Sequence, residues 1–351
     1  MSTFDVSVVV RSMARATLRR TLASIAAQRD VALEVIVVGA SGAAHPPLPA
    51  AAGAHPLRFV ASASPLARPA AANAGLDAAR GDWIILLDDD DEWRDGHLRG
   101  LLDGASARPQ AGVVHSLAEV HVDGEPARPF GQPMALSELY RRNCICFGAA
   151  LIARALVQAG VRCDESLAIH EDWDLFLQCA QRAPFRFVRQ RTFVWNAGAG
   201  ESGAGGGANL DLAKVNRVGD DVRRKWAAAR AATVAALRPA LGRAVAAVQR
   251  GAWHDAAIEA ADVLRRFPNE PDALAVMAAV ERASGRLAQA QSAQALASMV
   301  RPDDASLVYN LALICRERGD LAAMRKCAGR LARMAQYDPR ATALASALDG
   351  T

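Results

Sequence analysis

Four consecutive aspartates, Asp88–Asp91, follow an apolar segment, Trp83–Leu87, that has the length of a buried strand. Adjacent carboxylates repel one another, and solvation or a bound cation relieves that repulsion. Their hard oxygen atoms suit Mg²⁺ or Mn²⁺, and such an ion would neutralise a diphosphate. A solvated acidic turn would have the same composition. The buried strand directly before the run favours the metal site.

A second pair of acids, Glu171 and Asp172, lies in a segment at residues 167–179 that is predicted to be helical. Adjacent carboxylates on one helix cannot face the same way, so one can accept a proton while the other orients it. A hydroxyl that attacks an electrophilic carbon needs such a base within hydrogen-bonding reach. Acids near the start of a helix also interact favourably with its dipole, so the pair taken alone has an equally good structural explanation.

Alternating strands and helices surround these acids. Val6–Val10 and Glu34–Val38 are β-branched runs, and Leu18, Leu22 and Ile25 lie between them at helical spacing. A strand, a helix and a strand within about 35 residues form a βαβ unit, and near-continuous apolar strands indicate a parallel sheet covered on both faces. Such sheets bind ligands at the carboxyl ends of their strands. Further elements are predicted as strands at residues 57–60, 83–87, 113–115 and 118–122, and as a helix at residues 70–79.

The last third of the chain contains a repeat. Gly251, Gly285 and Gly319 are each 34 residues apart (285 − 251 and 319 − 285), and the same offset relates Pro268 to Pro302. Helix, glycine turn, helix and proline at this period are the signature of tetratricopeptide repeats, which the segment resembles. The predicted fold class is therefore α/β, with an open, mixed and mostly parallel sheet, followed by a C-terminal all-α repeat domain. The repeats are placed at residues 237–270, 271–304 and 305–338, with a capping helix from Pro339.

The composition of the chain argues against several classes of partner and location. A net charge of +4 and 5% aromatic residues argue against a nucleic-acid partner. Six cysteines without a CxxC pair indicate reduced thiols in a cytoplasmic protein. The N-terminus lacks the basic and apolar run of a signal peptide, and we expect no apolar stretch near the roughly 20 residues of a transmembrane helix. The protein is expected to be cytoplasmic, or peripheral at the inner membrane.

The order of these features resembles the family-two inverting glycosyltransferases, which have a GT-A fold. The resemblance covers roughly residues 4–200, and its most specific part runs from Asn73 to Trp93. It implies a nucleotide-diphospho-sugar donor, a Mg²⁺ or Mn²⁺ cofactor, and a single displacement that inverts the anomeric carbon. The absence of a GxGxxG segment after the first strand makes a nicotinamide dehydrogenase a poor alternative.

The resemblance also implies roles for individual residues. Asp88 and Asp90 match the motif that binds the metal and the diphosphate. Asp89 matches a position near the ribose. Asp172 matches the catalytic base, and Glu171 is its neighbour.

Three further positions are expected to contact the donor. Asn73 matches a residue that lines the nucleotide cleft. Where the family has Pro-x-Tyr-Asn after its first strand, this chain has Arg11–Ala14, and we expect Arg11 and Ser12 to lie near a phosphate. Where the family has Asp-Asp-Gly-Ser after its second strand, this chain has Gly39–Gly42, whose amides around Ser41 are expected to contact the nucleotide.

Two hypotheses on function follow. In the first, residues 1–209 form a metal-dependent hexosyltransferase domain of cell-surface polysaccharide biosynthesis, acting on a glycan, lipid-linked or protein acceptor. Residues 210–236 are then a helical linker, and residues 237–351 are repeats available to a protein partner. In the second, a degenerate transferase domain serves as a scaffold whose repeats bind that partner, and the missing acid at Gly39 or Ala40 motivates this alternative.

Overall fold

The computed structural model describes residues 3–42, 45–127, 129–198, 200 and 202–349, and these residues form two compact units. The first unit combines the described residues of 1–132 and 142–225, and the second those of 133–141 and 226–351. Met1 and Ser2 belong to the N-terminal segment that was compared with a signal peptide, and they lie outside the described residues. The first unit thus extends to Lys225 and includes half of the segment predicted to be a linker.

A ten-stranded sheet lies at the centre of the first unit, in the order β3-β4-β2-β1-β5-β9-β7-β10-β6, with β8 paired to β7. The strands are β1 (Val6–Ser12), β2 (Leu33–Gly39), β3 (Ala51–Ala52), β4 (His55–Val60), β5 (Trp83–Asp88), β6 (Glu92–Trp93), β7 (Val113–Val122), β8 (Glu125–Pro126), β9 (Ala150–Ala153) and β10 (Phe185–Asn196). Strands β4, β2, β1 and β5 are parallel, as are β7 and β10, whereas β9 runs antiparallel between β5 and β7. The predicted mixed, mostly parallel α/β sheet is confirmed.

Six of the helices belong to the first unit and the others to the second. The helices are α1 (Leu18–Ala26), α2 (Arg68–Ala78), α3 (His97–Ser106), α4 (Leu136–Leu139), α5 (Arg154–Gln158), α6 (Glu171–Ala180), α7 (Leu212–Lys225), α8 (Ala227–Gln249), α9 (Trp253–Arg266), α10 (Pro271–Ala283), α11 (Leu287–Val300), α12 (Ala305–Glu317), α13 (Leu321–Met334) and α14 (Pro339–Asp349). Helices α4 and α8–α14 form the second unit.

The central strands are buried along their whole length, as their β-branched composition predicts. Every residue of β1 and β2 is buried. Helix α2 packs closely on β1, because a Cβ at Gly75 would lie 2.1 Å from Cγ1 of Val9. The register pairs Arg11 of β1 with Asp88 of β5, and Ser12 with Gly39 of β2. The sheet therefore brings the ends of these three strands together.

Two predicted elements have different bounds, and other elements were not predicted, among them helix α3 and the twelve-residue strand β10. Strand β7 is continuous over Val113–Val122, where two short strands were expected. Helix α6 begins at Glu171 and not at Leu167, because His170 adopts a left-handed backbone conformation with φ 64° that is incompatible with a continuous helix. The acid pair consequently occupies the first turn of α6.

The second unit is all-helical, and this part of the predicted fold is confirmed. Gly251, Gly285 and Gly319 all have positive φ, between 71° and 79°, at the turns before α9, α11 and α13. The short helix α4 belongs to this unit, since Arg301 Nε donates to Glu138 at 2.8 Å. Assignment of the helices to tetratricopeptide repeats stays a prediction.

Among the described residues, α8 is long and apolar enough to cross a membrane by length and composition. The expectation that no stretch approaches this length was wrong, because the many alanines of α8 keep its hydropathy high despite scattered arginines. Its face at Leu237, Ala240, Ala244 and Ala247 is buried in the core of its own unit. Part of α8 thus has an ordinary packing role.

Two helical glycines should respond oppositely to substitution by alanine. Gly75→Ala overfills the contact with Val9, at a cost of about 1–3 kcal/mol in the free energy of unfolding. Gly242 of α8 has no atom within 4 Å of a built Cβ, so Gly242→Ala should stabilise its helix by about 1 kcal/mol. Thermal denaturation of both variants against the unsubstituted chain measures the effects. Equal effects of the two substitutions would contradict the close packing of α2 on β1.

Candidate functional site

A cleft of about 620 Å³ opens in the first unit at the carboxyl ends of the parallel strands. Asp88, Asp90 and Asp91 line it together with Glu171 and Asp172. The two acidic groups identified in the sequence, about 80 residues apart along the chain, therefore face one cavity. Such a position in an open α/β sheet is where small molecules bind.

Arg11 joins the two acidic groups. The register of β1 on β5 places it beside Asp88, and its guanidinium donates through Nε to Asp88 Oδ1 at 2.7 Å and through Nη1 to Glu171 Oε1 at 2.6 Å. Arg68, the first residue of α2, reaches the same carboxylates at 3.4 Å and 3.1 Å. Two guanidiniums thus balance two carboxylates at the centre of the cleft.

The pKa values follow from this pairing. Burial opposes the charge on Arg11, but the nearby carboxylates outweigh burial and raise the pKa of Arg11. Burial would likewise raise the pKa of Asp88, whereas Arg11 and Arg68 lower it to about 2. The pKa of Glu171 is lowered because Arg68 and Arg11 outweigh its burial. All four groups are charged at neutral pH.

Asp88, Asp90 and Asp91 form a candidate metal site. Each offers one carboxylate oxygen, and these oxygens lie within 4.8 Å of one another. Burial, followed by the charge of Asp88, raises the pKa of Asp90 to about 6. Burial and Asp90 raise the pKa of Asp91 well above its ordinary value. Three clustered carboxylates, two of them with a raised pKa, offer hard oxygen donors of the kind that Mg²⁺ and Mn²⁺ prefer.

Asp89 points away from the cleft and holds the loop after β1. Its side chain is completely buried, and its Oδ2 accepts from the Met13 backbone N–H at 2.7 Å and from Ser12 Oγ at 3.2 Å. Arg15 Nη1 donates to Asp89 Oδ1 at 2.7 Å and to Asp90 Oδ2 at 3.3 Å. Asp89 therefore fixes the loop that carries one wall of the cleft.

Asp172 is held at the cleft by two hydrogen bonds. Asn143 Nδ2 donates to its Oδ2 at 2.9 Å, and the Trp173 backbone N–H donates to its Oδ1 at 2.7 Å. Burial, followed by the negative charge of Glu171, raises the pKa of Asp172. A carboxylate of increased basicity facing a cavity is suited to accept a proton. Sequence reasoning missed Asn143, since nothing local marks its contact with a residue 29 positions later.

Helix α7 supplies a further wall that the sequence did not predict. Val215, Asn216, Gly219 and Arg223 of α7 line the cleft. The described part of the glycine-rich segment at residues 197–208 also contributes lining residues, among them Gly200.

Four of the residues expected at the donor do not line the cleft, namely Asp89, described above, and Ser12, Ser41 and Asn73. Ser12 Oγ lies 2.9 Å from His45 Nε2. The buried Ser41 hydroxyl has no hydrogen-bond partner among the described residues. Asn73 Nδ2 donates to the Cys163 carbonyl at 3.0 Å, and the Cys163 N–H donates back to Asn73 Oδ1 at 2.9 Å. Their roles as donor ligands stay predictions, as does that of Asp89.

Removing the Asn143 amide should raise the pKa of Asp172 further. The hydrogen bond favours the carboxylate form and lowers the pKa, so Asn143→Ala moves the titration of Asp172 to higher pH. Carbon-13 NMR of the aspartate carboxyl groups measures the pKa of Asp172, and the Asp172→Asn variant identifies which signal belongs to this residue. Gln181→Ala, on the same helix, is the control because its side chain bonds the Leu177 carbonyl instead. An unchanged titration in Asn143→Ala would disprove the contact.

The N-terminal part of the chain is similar to known proteins. Residues 7–155 match the family model described as glycosyl transferase family 2. The succinoglycan biosynthesis protein ExoO of Rhizobium meliloti (strain 1021) is 32% identical over 198 residues, 51% of this chain and 57% of that protein. The amylovoran biosynthesis glycosyltransferase AmsB of Erwinia amylovora is 29% identical over 143 residues, 38% of this chain and 47% of that protein. The chain spans about half the length of both relatives.

Solved structures were compared as well. S. aureus TarS 1-349 aligns with 92% of this chain and 90% of its own, with a TM-score of 0.45 and 13% sequence identity. The same fragment in complex with UDP-GlcNAc aligns over the same shares with a TM-score of 0.48. The family match contains Arg11 and the whole Asp88–Asp91 run, whereas Glu171 and Asp172 lie beyond its end. The segment that is similar to this family model therefore supplies one side of the cleft.

Proposed function

We propose that this protein is a metal-dependent, inverting glycosyltransferase that moves a hexose from a nucleotide-diphospho-sugar to an acceptor hydroxyl. The observation that carries the proposal is the shared cleft, in which Asp88, Asp90 and Asp91 face the same cavity as the Glu171–Asp172 pair, with Arg11 bonded to both groups. The family match over residues 7–155 supports the reaction class. The names of both relatives concern biosynthesis of a bacterial glycan, which supports a place in polysaccharide biosynthesis.

The donor diphosphate is proposed to bind on the side of the cleft formed by the ends of β1 and β5. Asp88, Asp90 and Asp91 would hold Mg²⁺ or Mn²⁺, whose charge stabilises the leaving nucleoside diphosphate. Arg11 and Arg68 keep Asp88 ionised and present positive charge to the same space. Because ion pairs already orient Arg11, Arg68 and Asp88, these side chains need little rearrangement when the donor binds.

Asp172 is proposed as the general base. Its carboxylate takes the proton of the acceptor hydroxyl while the acceptor oxygen forms a bond to the anomeric carbon of the donor sugar. The bond from that carbon to the diphosphate oxygen breaks on the opposite face, so the configuration inverts and the diphosphate leaves with the electron pair. A raised pKa makes Asp172 a stronger base, and activity falls as the pH drops through that pKa.

The acceptor and the cellular location belong to the proposal. A glycan, a lipid-linked sugar and a protein are all compatible with a base at an open cleft. The helices of the second unit are proposed to bind a protein partner, and the protein to act in the cytoplasm or peripherally at the inner membrane.

Asp172→Asn should abolish transfer and leave donor binding nearly unchanged. The amide cannot accept the hydroxyl proton, and loss of a general base lowers turnover by about 10²- to 10⁴-fold. Turnover is measured with a nucleotide-sugar panel, and donor binding by calorimetry with Mn²⁺ present. Turnover equal to that of the unsubstituted enzyme would remove Asp172 from the mechanism.

Asp90→Asn should weaken Mn²⁺ binding more than tenfold, because it removes one of three clustered carboxylates. In the unsubstituted protein, Mn²⁺ affinity should also fall as the pH decreases through the Asp90 pKa of about 6, since protons compete with the ion. Calorimetric titration with MnCl₂ measures both. Asp95→Asn is the control, being an exposed acid near the run that is not part of the cluster. Equal Mn²⁺ affinity in the two variants would rule out the aspartate site.

A scaffold with a degenerate transferase domain is the second candidate. Two observations favour it. The acid that the resemblance leads us to expect is missing at Gly39 and Ala40. Arg11 donates to both carboxylate oxygens of Asp88, at 2.7 and 3.0 Å, and so occupies the place that a metal ion would take. Calorimetry with nucleotide sugars and Mn²⁺ separates the two. Binding of a donor supports the enzyme, whereas no binding of any nucleotide sugar supports the scaffold.

A further inference from the structure

Two aromatic side chains line the cleft where β7 and β10 form its wall. They are Phe130, in the segment that follows β8, and Trp195, near the end of β10. Both are half-buried and pack against the core of the first unit. Their ring centroids are 5.6 Å apart and their planes are inclined at 74°. The two rings therefore meet at an angle, and we call them the aromatic corner.

The backbone holds the aromatic corner in place from both sides. Phe130 exchanges two hydrogen bonds with Ala118 of β7, at 3.1 and 2.8 Å. Trp195 lies within β10, which is paired with β7. The next residue, Asn196, donates its backbone N–H to Asp91 Oδ1 at 2.8 Å. The corner is thus fixed directly beside the acidic cluster.

Trp195 differs from Trp93, the tryptophan of the neighbouring strand β6. Trp93 is 4% exposed, and its indole N–H donates to the Gly148 carbonyl at 2.8 Å. Among the described residues, the indole N–H of Trp195 has no hydrogen-bond partner. A half-buried indole bonds to water or to a ligand instead. Trp93 therefore has a packing role, whereas Trp195 keeps a donor and part of its ring for a ligand.

A pyranose ring fits such a corner. Its two faces consist largely of C–H groups and its rim consists of hydroxyls. A C–H face that packs on an aromatic ring leaves water, while the hydroxyls stay at the edge, where an indole N–H can donate to them. A serine or threonine side chain has no comparable face. An aromatic corner consequently favours a sugar over a protein hydroxyl.

The order of the strands indicates which substrate meets the corner. In a single displacement, the acceptor oxygen approaches the anomeric carbon from the side opposite the leaving diphosphate. The diphosphate is proposed to lie at the ends of β1 and β5, and β10 is separated from β5 by β9 and β7. A ring held by β7 and β10 therefore lies on the flank from which the acceptor has to enter.

We propose that Phe130 and Trp195 bind the sugar ring of the acceptor, so that this enzyme transfers to a carbohydrate and not to a protein side chain. The inference rests on the proposed function and narrows its acceptor class. The corner holds a C–H face of the ring, and Asp172, which lines the same cleft, takes the proton of one of its hydroxyls. A growing glycan and a lipid-linked sugar both present such a ring.

The test is ligand-observed NMR on the full chain. Mn²⁺ and a nucleoside diphosphate first fill the donor subsite, the nucleotide being that of the nucleotide sugar that binds most tightly in the panel. Dissociation constants are then measured for methyl cellobioside, a hexose 1-diphosphate and N-acetylserine amide, which represent a glycan, a lipid-linked sugar and a protein. At least one sugar probe should bind more tightly than the serine probe and show ring-current shifts of its C–H protons. The tighter sugar probe identifies the source of the acceptor.

Substitutions assign the effect to the corner. Trp195→Ala should weaken binding of the sugar probe by roughly threefold to tenfold and abolish the ring-current shifts, whereas Trp195→Phe should keep most of both. Trp253→Ala is the matched control, because Trp253 is 39% exposed and does not line the cleft. Thermal melting and binding of the nucleoside diphosphate show whether Trp195→Ala is folded. If it is not, Phe130→Leu, which removes the other ring, takes its place.

The outcomes separate this inference from the proposed function. If the nucleoside diphosphate binds but no sugar probe binds, or if Trp195→Ala leaves sugar binding unchanged, the inference is wrong and the transferase proposal stands. Tighter binding of the serine probe also contradicts it. If Trp195→Ala instead removes the extra affinity of the nucleotide sugar over its nucleoside diphosphate, the corner holds the donor sugar, and the acceptor assignment is wrong. If no nucleotide sugar of the panel binds, both proposals fall.

Discussion

The buried guanidinium of Arg11 is the interaction on which the cleft depends. An arginine that is only 7% exposed is tolerated in a protein interior when its charge is paired and its N–H groups are bonded. Asp88 at the end of β5 and Glu171 at the start of α6 supply both. The pairing therefore fixes the relative positions of a sheet edge and a helix terminus, and it holds Asp88 and the first turn of α6 on either side of one guanidinium.

Four chemically identical residues in Asp88–Asp91 have four different environments. The strand ends at Asp88, so the backbone turns and sends successive side chains in different directions. Asp89 holds the loop after β1, and Asp91 accepts from the Asn196 backbone N–H at 2.8 Å. Asp89 therefore only stabilises a loop, whereas Asp91 both stabilises a neighbouring segment and belongs to the acidic cluster with Asp88 and Asp90.

Sequence reasoning located the elements that depend on local patterns. The acid run, the 34-residue period and the parallel strands β1, β2, β4 and β5 all arise from neighbours in the chain. These four strands were predicted close to their observed bounds, whereas the parallel strand β10 was not predicted. The contact of Asn143 with Asp172, and that of Arg223 with Trp173, arise only when distant segments pack together. No local periodicity encodes such contacts. The late start of α6 likewise depends on one backbone angle at His170, which residue type alone does not specify.

The in-register pairing of β1 with β5 limits how this sequence can diverge. Alternate residues of a strand face opposite sides of the sheet, so one inserted residue in β1 would turn the side chain at position 11 towards the covering helices. Changes in length are consequently tolerated only beyond Ser12, in the loop. Within the sheet, an exchange of charge at position 11 has to be matched at 88 or 171 to keep the interior neutral. These three positions are therefore expected to change together or not at all among descendants of this chain.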